Sequence, residues 1–366
     1  MTRSIKMEGT GIEVEAKLVT VMPDELHRLI KKKLEGAGLY PEQAQEVANH
    51  LVFADSSGIH SHGAVRVDYY SERISKGGLT LDPNVFFERT GESTGIFHGD
   101  NGIGQYVANM GLKEAVAMAK EAGVAVVGIS KMSHSGALSY YVKQAAEQDL
   151  IAIAMCQSDP MVVPFGGSEI YYGTNPIAFS APRKNGPPIV FDMATTVQAW
   201  GKILDARAKN KAIPDTWAVD KEGKPTTNPH DVHGLLPISG PKGYGLMMMI
   251  DILSGVLLGL PFGKHVSSMY DQISEGRNLG QLYIIIDPKK FTDIDSFKEK
   301  IETTVAELHE VKPAAGFSQV YYPGEINQLN YEKHQQEGIP VEESIYAYLK
   351  SDLIHFDQYG GKGAFA

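Results

Sequence analysis

The 366-residue sequence contains a single cysteine, Cys156. One cysteine excludes both an intramolecular disulfide framework and a zinc site built on cysteine ligands. Cys156 directly follows the apolar run Ile151–Met155, a setting typical of a buried structural thiol rather than a reactive nucleophile. Catalytic chemistry therefore has to come from other side chains, chiefly histidine, arginine, lysine, tyrosine and the carboxylates.

Positive charge is also scarce. The chain has 34 lysine and arginine residues against 44 aspartate and glutamate residues, a formal net charge of −10 and a pI of about 5.7. Proteins that bind DNA or RNA usually carry a basic patch, so we predict no nucleic-acid partner. With 43% hydrophobic and 21% charged residues, the composition is that of a globular protein, and the length suits one large or two moderate domains.

Long apolar runs are missing as well. The longest, Leu246–Phe262, covers 17 residues, contains Asp251 and follows Lys242. A membrane-spanning helix needs about 20 apolar residues and is disfavoured by a central aspartate. We therefore predict a buried helix and no membrane partner. Because no signal-peptide pattern is visible at the N-terminus, we expect a cytoplasmic protein.

Several familiar site motifs do not occur. There is no Gly-x-Ser-x-Gly, no Walker A loop around Lys242, and no carboxylate pair that suggests a glycosidase. The Gly-x-Gly patterns at 102–104 and 243–245 lack the third glycine of the Rossmann fingerprint. His60-x-His62 is a candidate metal pair, but no further ligands follow at a recognisable spacing. We therefore predict no metal site.

Hydrophobic periodicity predicts an α/β protein with helices at both ends, in which strands and helices alternate from about residue 85 around a mixed or mostly parallel sheet. Residues 1–20 carry little pattern. The predicted helices are Met22–Leu34, Pro41–Ser57, Ser61–Ser75, Val107–Ala122, Gly136–Glu147, Thr195–Ala208, Lys242–Leu260 and Val341–Ser351, and the predicted strands are Gly123–Ser130, Leu150–Cys156, Pro176–Ser180, Ile189–Asp192 and Gln281–Asp287.

The stretch Gly58–Tyr70 concentrates polar side chains. His62, Arg66 and Tyr70 recur at i, i+4 and i+8, so a helix starting near Ser61 would place all three on one face. Arginine offers a forked donor pair, and the other two offer single hydrogen bonds, a combination that suits a carboxylate beside a hydroxyl or carbonyl. The alternative is a solvated helix face, and these residues alone do not decide between the two.

Polar residues also follow the predicted strands, where ligands gather in open α/β sheets. His134 is suited to acid–base chemistry near neutral pH, or belongs to a capping loop. Ser158 either donates to a phosphate or ribose or shapes the turn before Pro160. Asp192 either orients a histidine or a hydroxyl or caps the next helix, which Thr195 or Thr196 could also cap. Lys242 opens a helix in a glycine-rich setting that suggests backbone close to a ligand.

Longer stretches resemble a known family, the malate/L-lactate dehydrogenase-like oxidoreductases that lack a Rossmann fold. The likeness runs from about Pro23 to Gly324 and weakens over Glu325–Val341, while Met155–Gly173 resembles the ureidoglycolate branch. It implies a non-Rossmann, mixed-sheet core that binds NAD, which accounts for the missing fingerprint. The matching stretches include GIHSHGAVRVDYYSERISKGG, GVAVVGISKMSHSGALSYY, FDMATTVQAWGKILDARAKN and GPKGYGLMMMIDILSGVLLGLPFG.

The resemblance also implies a division of the chain. We predict an extension over residues 1–20, an NAD-binding α/β domain over 91–324, and a helical part built from 21–90 together with 325–366. The helical part would contribute to substrate binding and dimer contacts. A homodimer or larger homo-oligomer is implied, with the active site near the subunit interface.

Individual residues take roles by the same resemblance. His134 is implied as the proton acceptor in hydride transfer, with Asp192 beside it as a second catalytic residue. His62, Arg66 and Tyr70 are implied to meet the substrate carboxylate and its neighbours. The implied cofactor contacts are Ser158, Asp192, Met193, Ala194, Lys242, Gly324 and Glu325.

The reaction implied by the resemblance is the NAD-dependent oxidation of (S)-ureidoglycolate to oxalurate in allantoin degradation. Two alternatives remain at this point. The substrate could be another small 2-hydroxy acid, such as malate, lactate or sulfolactate, because the residues indicate the carboxylate anchor better than the rest of the pocket. In a different class, the chain could be a ligand-binding protein without activity on the same scaffold.

Overall fold

The structure is a computed structural model and describes residues 2–6 and 13–361. The α-helices are α1 (Pro23–Ala37), α2 (Pro41–Ser56), α3 (Val67–Ser75), α4 (Gly104–Ala122), α5 (Ser139–Ala146), α6 (Trp200–Ala208), α7 (Pro241–Ser254), α8 (Ile294–Glu310), α9 (Glu325–Glu337) and α10 (Glu343–Lys350). The strands are β1 (Thr2–Lys6), β2 (Glu13–Val21), β3 (Phe86–Arg89), β4 (Thr94–His98), β5 (Val124–Met132), β6 (Ile151–Cys156), β7 (Ile177–Ala181), β8 (Ile189–Met193), β9 (Ala218–Val219), β10 (Gly234–Leu235), β11 (Leu279–Ile286) and β12 (Ile339–Glu342).

A seven-stranded mixed sheet in the order β3-β4-β5-β11-β6-β7-β8 forms the centre. The predicted mixed sheet is confirmed, and the alternative of a mostly parallel sheet is wrong. Strands β4 and β5 pair in parallel, whereas the other five neighbouring pairs of this sheet are antiparallel. Since β11 and β7 are antiparallel to the strands on both sides of them, β5, β6 and β8 all run in one direction. Their carboxyl ends therefore lie at one edge, which brings His134, Ser158 and Asp192 to the same side of the sheet.

Both faces of this sheet are covered by helices. On one face, α4 and α5 bury the apolar side of β5 and β6, and Gly111 of α4 lies so close that an added Cβ would come within 2.2 Å of Ile129. On the other face, Ile250 of α7 packs with Met155 and Leu282. Cys156 is a free thiol that is 7% exposed, and its burial raises its pKa to about 12, so the prediction of a buried, unreactive cysteine is confirmed.

The helical part joins the two ends of the chain. Its core combines residues of α1 and α2, such as Leu26 and Leu51, with Ile339 of β12 and Leu349 of α10. Strand β2 pairs with β1 and with β12, so residues before Val21 take part in a three-stranded sheet. A helical part drawn from both ends agrees with the predicted fold class, whereas the residue boundaries of the domains stay a prediction.

The helix predicted to begin at Ser61 begins instead at Val67. Residues 60–62 and 64–66 form two short 3-10 turns on either side of Gly63. The buried Asp55 causes this break: its carboxylate accepts the Ala64 amide at 2.7 Å, and a Cβ at Gly63 would lie 2.1 Å from it. His62, Arg66 and Tyr70 therefore do not stack along one helix, and Ser61 contacts His62 rather than capping a helix.

Other predicted boundaries also move. The helices predicted from Gly136 and Thr195 begin at Ser139 and Trp200, because irregular loops precede them. The predicted helix Val341–Ser351 divides into strand β12 and helix α10, because residues 339–342 pair with β2. Cross-strand pairing of this kind depends on a partner far away in the chain.

The apolar helix predicted over Lys242–Leu260 is buried on one face only. Residues 241–258 are long and apolar enough to cross a membrane by length and composition. The buried Asp251 accepts the Gly263 amide at 3.0 Å, which ties α7 into the protein core. Met248, Met249 and Ile252 on the opposite face are each more than 40% exposed. The predicted buried helix is therefore buried on one face, and its opposite apolar face is uncovered in the single chain.

Candidate active site

His134 lies in the loop after β5 and contacts a tyrosine from the helical part. Its Nδ1 is 2.8 Å from the Tyr70 Oη, although the two residues are 64 positions apart. Gln105, at the start of α4, donates from Nε2 to the same Tyr70 oxygen at 2.7 Å. Tyr70 and Gln105 are fully buried, so Tyr70 is held between the glutamine and the histidine.

His62 stacks beside His134 on the other side. The two imidazole rings are 5.7 Å apart and nearly parallel, at 22°. Burial lowers the pKa of His62 to about 3, and Arg66 adds to the shift. Burial also lowers the pKa of His134 well below its usual value, helped by His62, Arg66 and the buried Arg277. Both imidazoles are therefore neutral at physiological pH, the state in which a histidine accepts a proton.

Arg66 approaches this pair from the second 3-10 turn. Its Nε donates to the Ser61 carbonyl at 2.7 Å, which holds the side chain along the turn. Burial opposes its charge, but the phenols of Tyr270, Tyr70 and Tyr359 outweigh that effect and raise its pKa. The permanent cation is thus placed beside two neutral histidines, so a carboxylate bound to Arg66 would lie close to a proton acceptor.

Tyr270 and Tyr359 come from segments that the sequence reasoning did not select. The loop carrying Tyr270 is held by Arg277, whose guanidinium forms a buried ion pair with Asp159 and donates to the Ser267 hydroxyl at 2.9 Å. No strand end or motif marks these residues, so the sequence carries no signal that would have found them.

The segment with Tyr359 is anchored on α3. The fully buried Glu72 accepts the amides of Gln358 and Tyr359 at 2.8 and 3.0 Å. Glu72, His355 and Asp357 also form the cluster of metal-ligating groups found in the described ranges 2–6 and 13–361. The Lys76 ammonium lies 2.9 Å from Glu72 and supplies the countercharge there. We therefore interpret the cluster as an ion pair that anchors this segment.

The other candidate metal pair was His60-x-His62. In the structure, His60 pairs with the Asp55 carboxylate at 2.9 Å.

Asp192 lies at the end of β8, as predicted, but its partner is a backbone amide. Its Oδ2 accepts the Ser139 N–H at 2.8 Å, in the first turn of α5. Within residues 2–6 and 13–361 it forms no hydrogen bond to His134. Because Ser139 is five residues beyond His134, Asp192 acts on the loop that carries the histidine. Asp192 therefore binds the first turn of α5, a helix earlier in the chain, and not the helix after β8 that the sequence suggested it could cap.

The other strand-end residues lie along the same edge of the sheet, between the end of β8 and the start of α7, and we refer to this region as the groove. The Ser158 hydroxyl is 3.0 Å from the Thr174 hydroxyl and accepts the Asn175 amide at 3.2 Å, so it shapes a turn. The Ile238 amide donates to the Thr195 carbonyl at 2.9 Å. This bond places the start of α7, with the exposed Lys242, beside the end of β8 at Met193 and the residues that follow it, including Ala194.

Gly324 and Glu325 meet the same strand from outside. Gly324 has φ +86° and packs so closely on β8 that a Cβ would lie 1.9 Å from the Val190 carbonyl oxygen. The Glu325 carboxylate accepts the Tyr322 amide at 3.0 Å and is 2.9 Å from His309. Gly324 therefore approaches the groove with its backbone, while the Glu325 side chain is used within its own turn.

The groove has features that fit a dinucleotide. The first turn of α7 leaves backbone N–H groups without helical partners, and Lys242 adds a cation there, which together favour a phosphate. Next to it, the buried Thr196 hydroxyl has no hydrogen-bond partner among the residues that the structure describes. These residues fit the pyrophosphate of a nicotinamide cofactor without a Rossmann glycine motif.

Comparison with known proteins agrees with this architecture. Residues 21–350 match the malate/L-lactate dehydrogenase family. The chain is 59% identical to the ureidoglycolate dehydrogenase (NAD(+)) of Escherichia coli K12, over 94% of this chain and 98% of that protein. It is 38% identical to the malate/(S)-sulfolactate dehydrogenase of Methanothermus fervidus, over 90% and 96% of the two chains. The sulfolactate dehydrogenase structure from Methanocaldococcus jannaschii superposes with a TM-score of 0.85 at 35% identity, over 91% and 96% of the two chains.

The matched range covers the sheet and most of the helical part, and it includes the candidate site residues His62, Arg66, Tyr70, His134, Ser158, Asp192 and Lys242. The chain belongs to the malate/L-lactate dehydrogenase family of oxidoreductases.

Proposed function

We propose that this protein oxidises (S)-ureidoglycolate to oxalurate with NAD. The observation that carries the proposal is the meeting of a neutral His134 with the cation Arg66 at the edge of the groove. A proton acceptor beside a carboxylate anchor suits a 2-hydroxy acid. The choice of ureidoglycolate and of NAD rests on the relative that is 59% identical.

Arg66 binds the substrate carboxylate in this proposal, and His62 helps to close the pocket around it. A guanidinium pairs with a carboxylate through two parallel hydrogen bonds, which sets the orientation of the substrate. The hydroxyl on the neighbouring carbon is thereby turned toward His134. Orientation of this kind is a major part of what a protein contributes when a cofactor carries out the chemistry.

His134 takes the hydroxyl proton through Nε2, so its own proton must reside on Nδ1. That Nδ1–H then donates to the Tyr70 oxygen 2.8 Å away, an oxygen that also accepts from Gln105. In this proposal Tyr70 thus orients the His134 ring, a task often given to a carboxylate. We propose this positioning role in addition to the substrate contact that the resemblance implies for Tyr70.

Bound NAD supplies the acceptor for the hydride that leaves the carbinol carbon. We propose that Lys242 and the start of α7 hold its phosphates, and that Ser158, residues 192–194 and the backbone at Gly324 and Glu325 line the rest of the groove. The side chain of Glu325 is the weakest candidate for a direct contact, because its carboxylate already binds Tyr322 and His309.

Tyr70→Phe should lower kcat about 10- to 100-fold, the usual cost of removing a partner that orients a histidine. The variant keeps the ring that packs in the core but leaves the buried Gln105 Nε2 without its acceptor, so a moderate fall in the melting temperature is expected. NADH formation at 340 nm measures kcat, and thermal unfolding provides the control. An unchanged kcat would show that Tyr70 does not orient His134.

The acid limb of kcat/KM should lie below pH 6.5. His134 must be neutral to accept a proton, and burial, with the neighbouring His62, Arg66 and Arg277, lowers its pKa. Activity is therefore retained at pH 6.5, where an ordinary histidine is half protonated, and is lost only as the pH falls through the lowered pKa. An acid limb above pH 6.5 in the pH profile of kcat/KM would contradict this assignment.

A substrate panel tests the proposed function. Initial rates with (S)-ureidoglycolate, malate, lactate and sulfolactate, each with NAD and with NADP, should show the highest kcat/KM for (S)-ureidoglycolate with NAD. A higher kcat/KM for another 2-hydroxy acid would replace the substrate and keep the enzyme class. Absence of reduced cofactor with every substrate would favour a ligand-binding protein without activity.

A homodimer is also part of the proposal. The uncovered apolar face of α7 continues into Val256 and Leu257, which are 46% and 60% exposed. Apolar patches of this kind usually mark an interaction surface, and a second copy would bury them. A solution molar mass by light scattering of twice the 39.9 kDa chain mass would agree with a dimer. The cytoplasmic location and the place in allantoin degradation stay predictions.

A further inference from the structure

We propose that His50 is a positioning residue that holds the loop of His134 against the helical part of the protein. His50 lies in the middle of α2, far from the His134 loop in sequence, and its side chain is fully buried. This inference rests on the proposed function, because it concerns the placement of the proton acceptor.

The contact between His50 and the loop is a hydrogen bond of fixed direction. His50 Nε2 is 2.9 Å from the backbone nitrogen of Ala137, three residues beyond His134. A backbone N–H can only donate, so His50 Nε2 must be unprotonated. The ring proton is therefore on Nδ1, a buried atom that has no hydrogen-bond partner within the described part of the chain. A buried donor left unpaired is costly, which indicates that the ring is kept in place for its other nitrogen.

Shape supports the same contact. Gly136 has φ +83°, and a Cβ there would lie 2.2 Å from the His50 Nε2. The loop can approach the ring this closely only with glycine at that position. The rings of Tyr140 and Tyr141 lie 4.7 and 5.5 Å from the His50 ring and confine it.

The loop is thus held from two sides. His50 accepts the amide of Ala137 from the helical part, and Asp192 accepts the amide of Ser139 from the sheet. His134 meets Tyr70 of the helical part only if its loop is drawn toward that part. Burial lowers the pKa of His50 to about 3, with a further effect of His62, so the acceptor is maintained over the working pH range.

The test compares His50→Leu, which removes the acceptor, with His50→Gln, whose side-chain oxygen can take the place of Nε2. His50→Leu should lower kcat about 10- to 100-fold, the cost of a small misplacement of a catalytic group, while the KM for NAD stays within about twofold. His50→Gln should recover most of the lost kcat. The matched control is His27→Leu, because His27 contacts Asn49 on α2 but not the loop.

Hydrogen–deuterium exchange of the full-length protein supplies a second measurement, which does not depend on turnover. Exchange of the peptide covering residues 133–139 should rise in His50→Leu and remain at the wild-type level in His50→Gln and His27→Leu. The proposal is overturned if His50→Leu keeps its kcat and its exchange rate, or if His50→Gln is as impaired as His50→Leu. If the wild-type protein oxidises no 2-hydroxy acid, the proposed function fails, while the exchange data still decide whether His50 holds the loop.

Discussion

His134→Ala should lower kcat about 10²- to 10⁴-fold, the range that general-base catalysis contributes. The alanine variant keeps Arg66 and the groove, so substrate and NAD should still bind in the correct orientation. What is lost is the group that takes the hydroxyl proton, and water in a confined pocket is a weaker and poorly oriented base. NADH formation at 340 nm measures the loss, and calorimetric titration measures the affinity for NAD.

A matched control is available on β4. His98 stacks on Phe86 at 4.4 Å and pairs with Glu88 at the surface. His98→Ala should keep the wild-type kcat. If His134→Ala turns over at the wild-type rate, His134 is not the proton acceptor. If it loses NAD affinity in parallel with kcat, the loop has a binding role instead.

Arg66→Ala should lower kcat/KM about 30- to 1,000-fold. Truncating one partner of a partly desolvated, hydrogen-bonded charge pair costs about 2–4 kcal/mol, and each 1.4 kcal/mol is a factor of ten. Most of the change should appear as a higher KM, because the carboxylate is bound in the ground state as well as in the transition state. A smaller decrease in kcat is expected because Arg66 also orients the hydroxyl toward His134.

Arg66→Lys should recover part of this loss, since a lysine keeps the charge but not the forked geometry. The control is Arg89→Ala, which removes a surface ion pair with Glu121 and should leave KM unchanged. An Arg66→Ala variant with a wild-type KM for every 2-hydroxy acid would exclude this residue as the carboxylate anchor. Saturation curves for the four proteins with one substrate separate these outcomes.

Much of the candidate site could be predicted from the sequence, because local apolar patterns indicate where strands end. His134, Ser158 and Asp192 each follow an apolar stretch, and the structure places all three at one edge of the sheet. The sheet is mixed rather than mostly parallel. The carboxyl ends of β5, β6 and β8 still lie at one edge, because the intervening strands β11 and β7 run in the opposite direction.

The arrangement around His62, Arg66 and Tyr70 could not be predicted from the sequence. A regular helix would have put them on one face, but Asp55 breaks the segment at Gly63 by binding the Ala64 amide. Tyr70 then turns to His134 instead of lining up with Arg66. A carboxylate from a preceding helix decided this, and spacing within residues 58–70 contains no information about it.

The sequence by itself determined the composition class, the α/β alternation, the buried Cys156 and the residue types that proton transfer and carboxylate binding require. Only the tertiary structure decided which of them meet. In the tertiary structure Tyr70 contacts His134, Asp192 accepts the Ser139 amide, and His50 accepts the Ala137 amide in the His134 loop. The physical reason is that buried polar groups must find partners when the core closes, and those partners lie far apart in the chain.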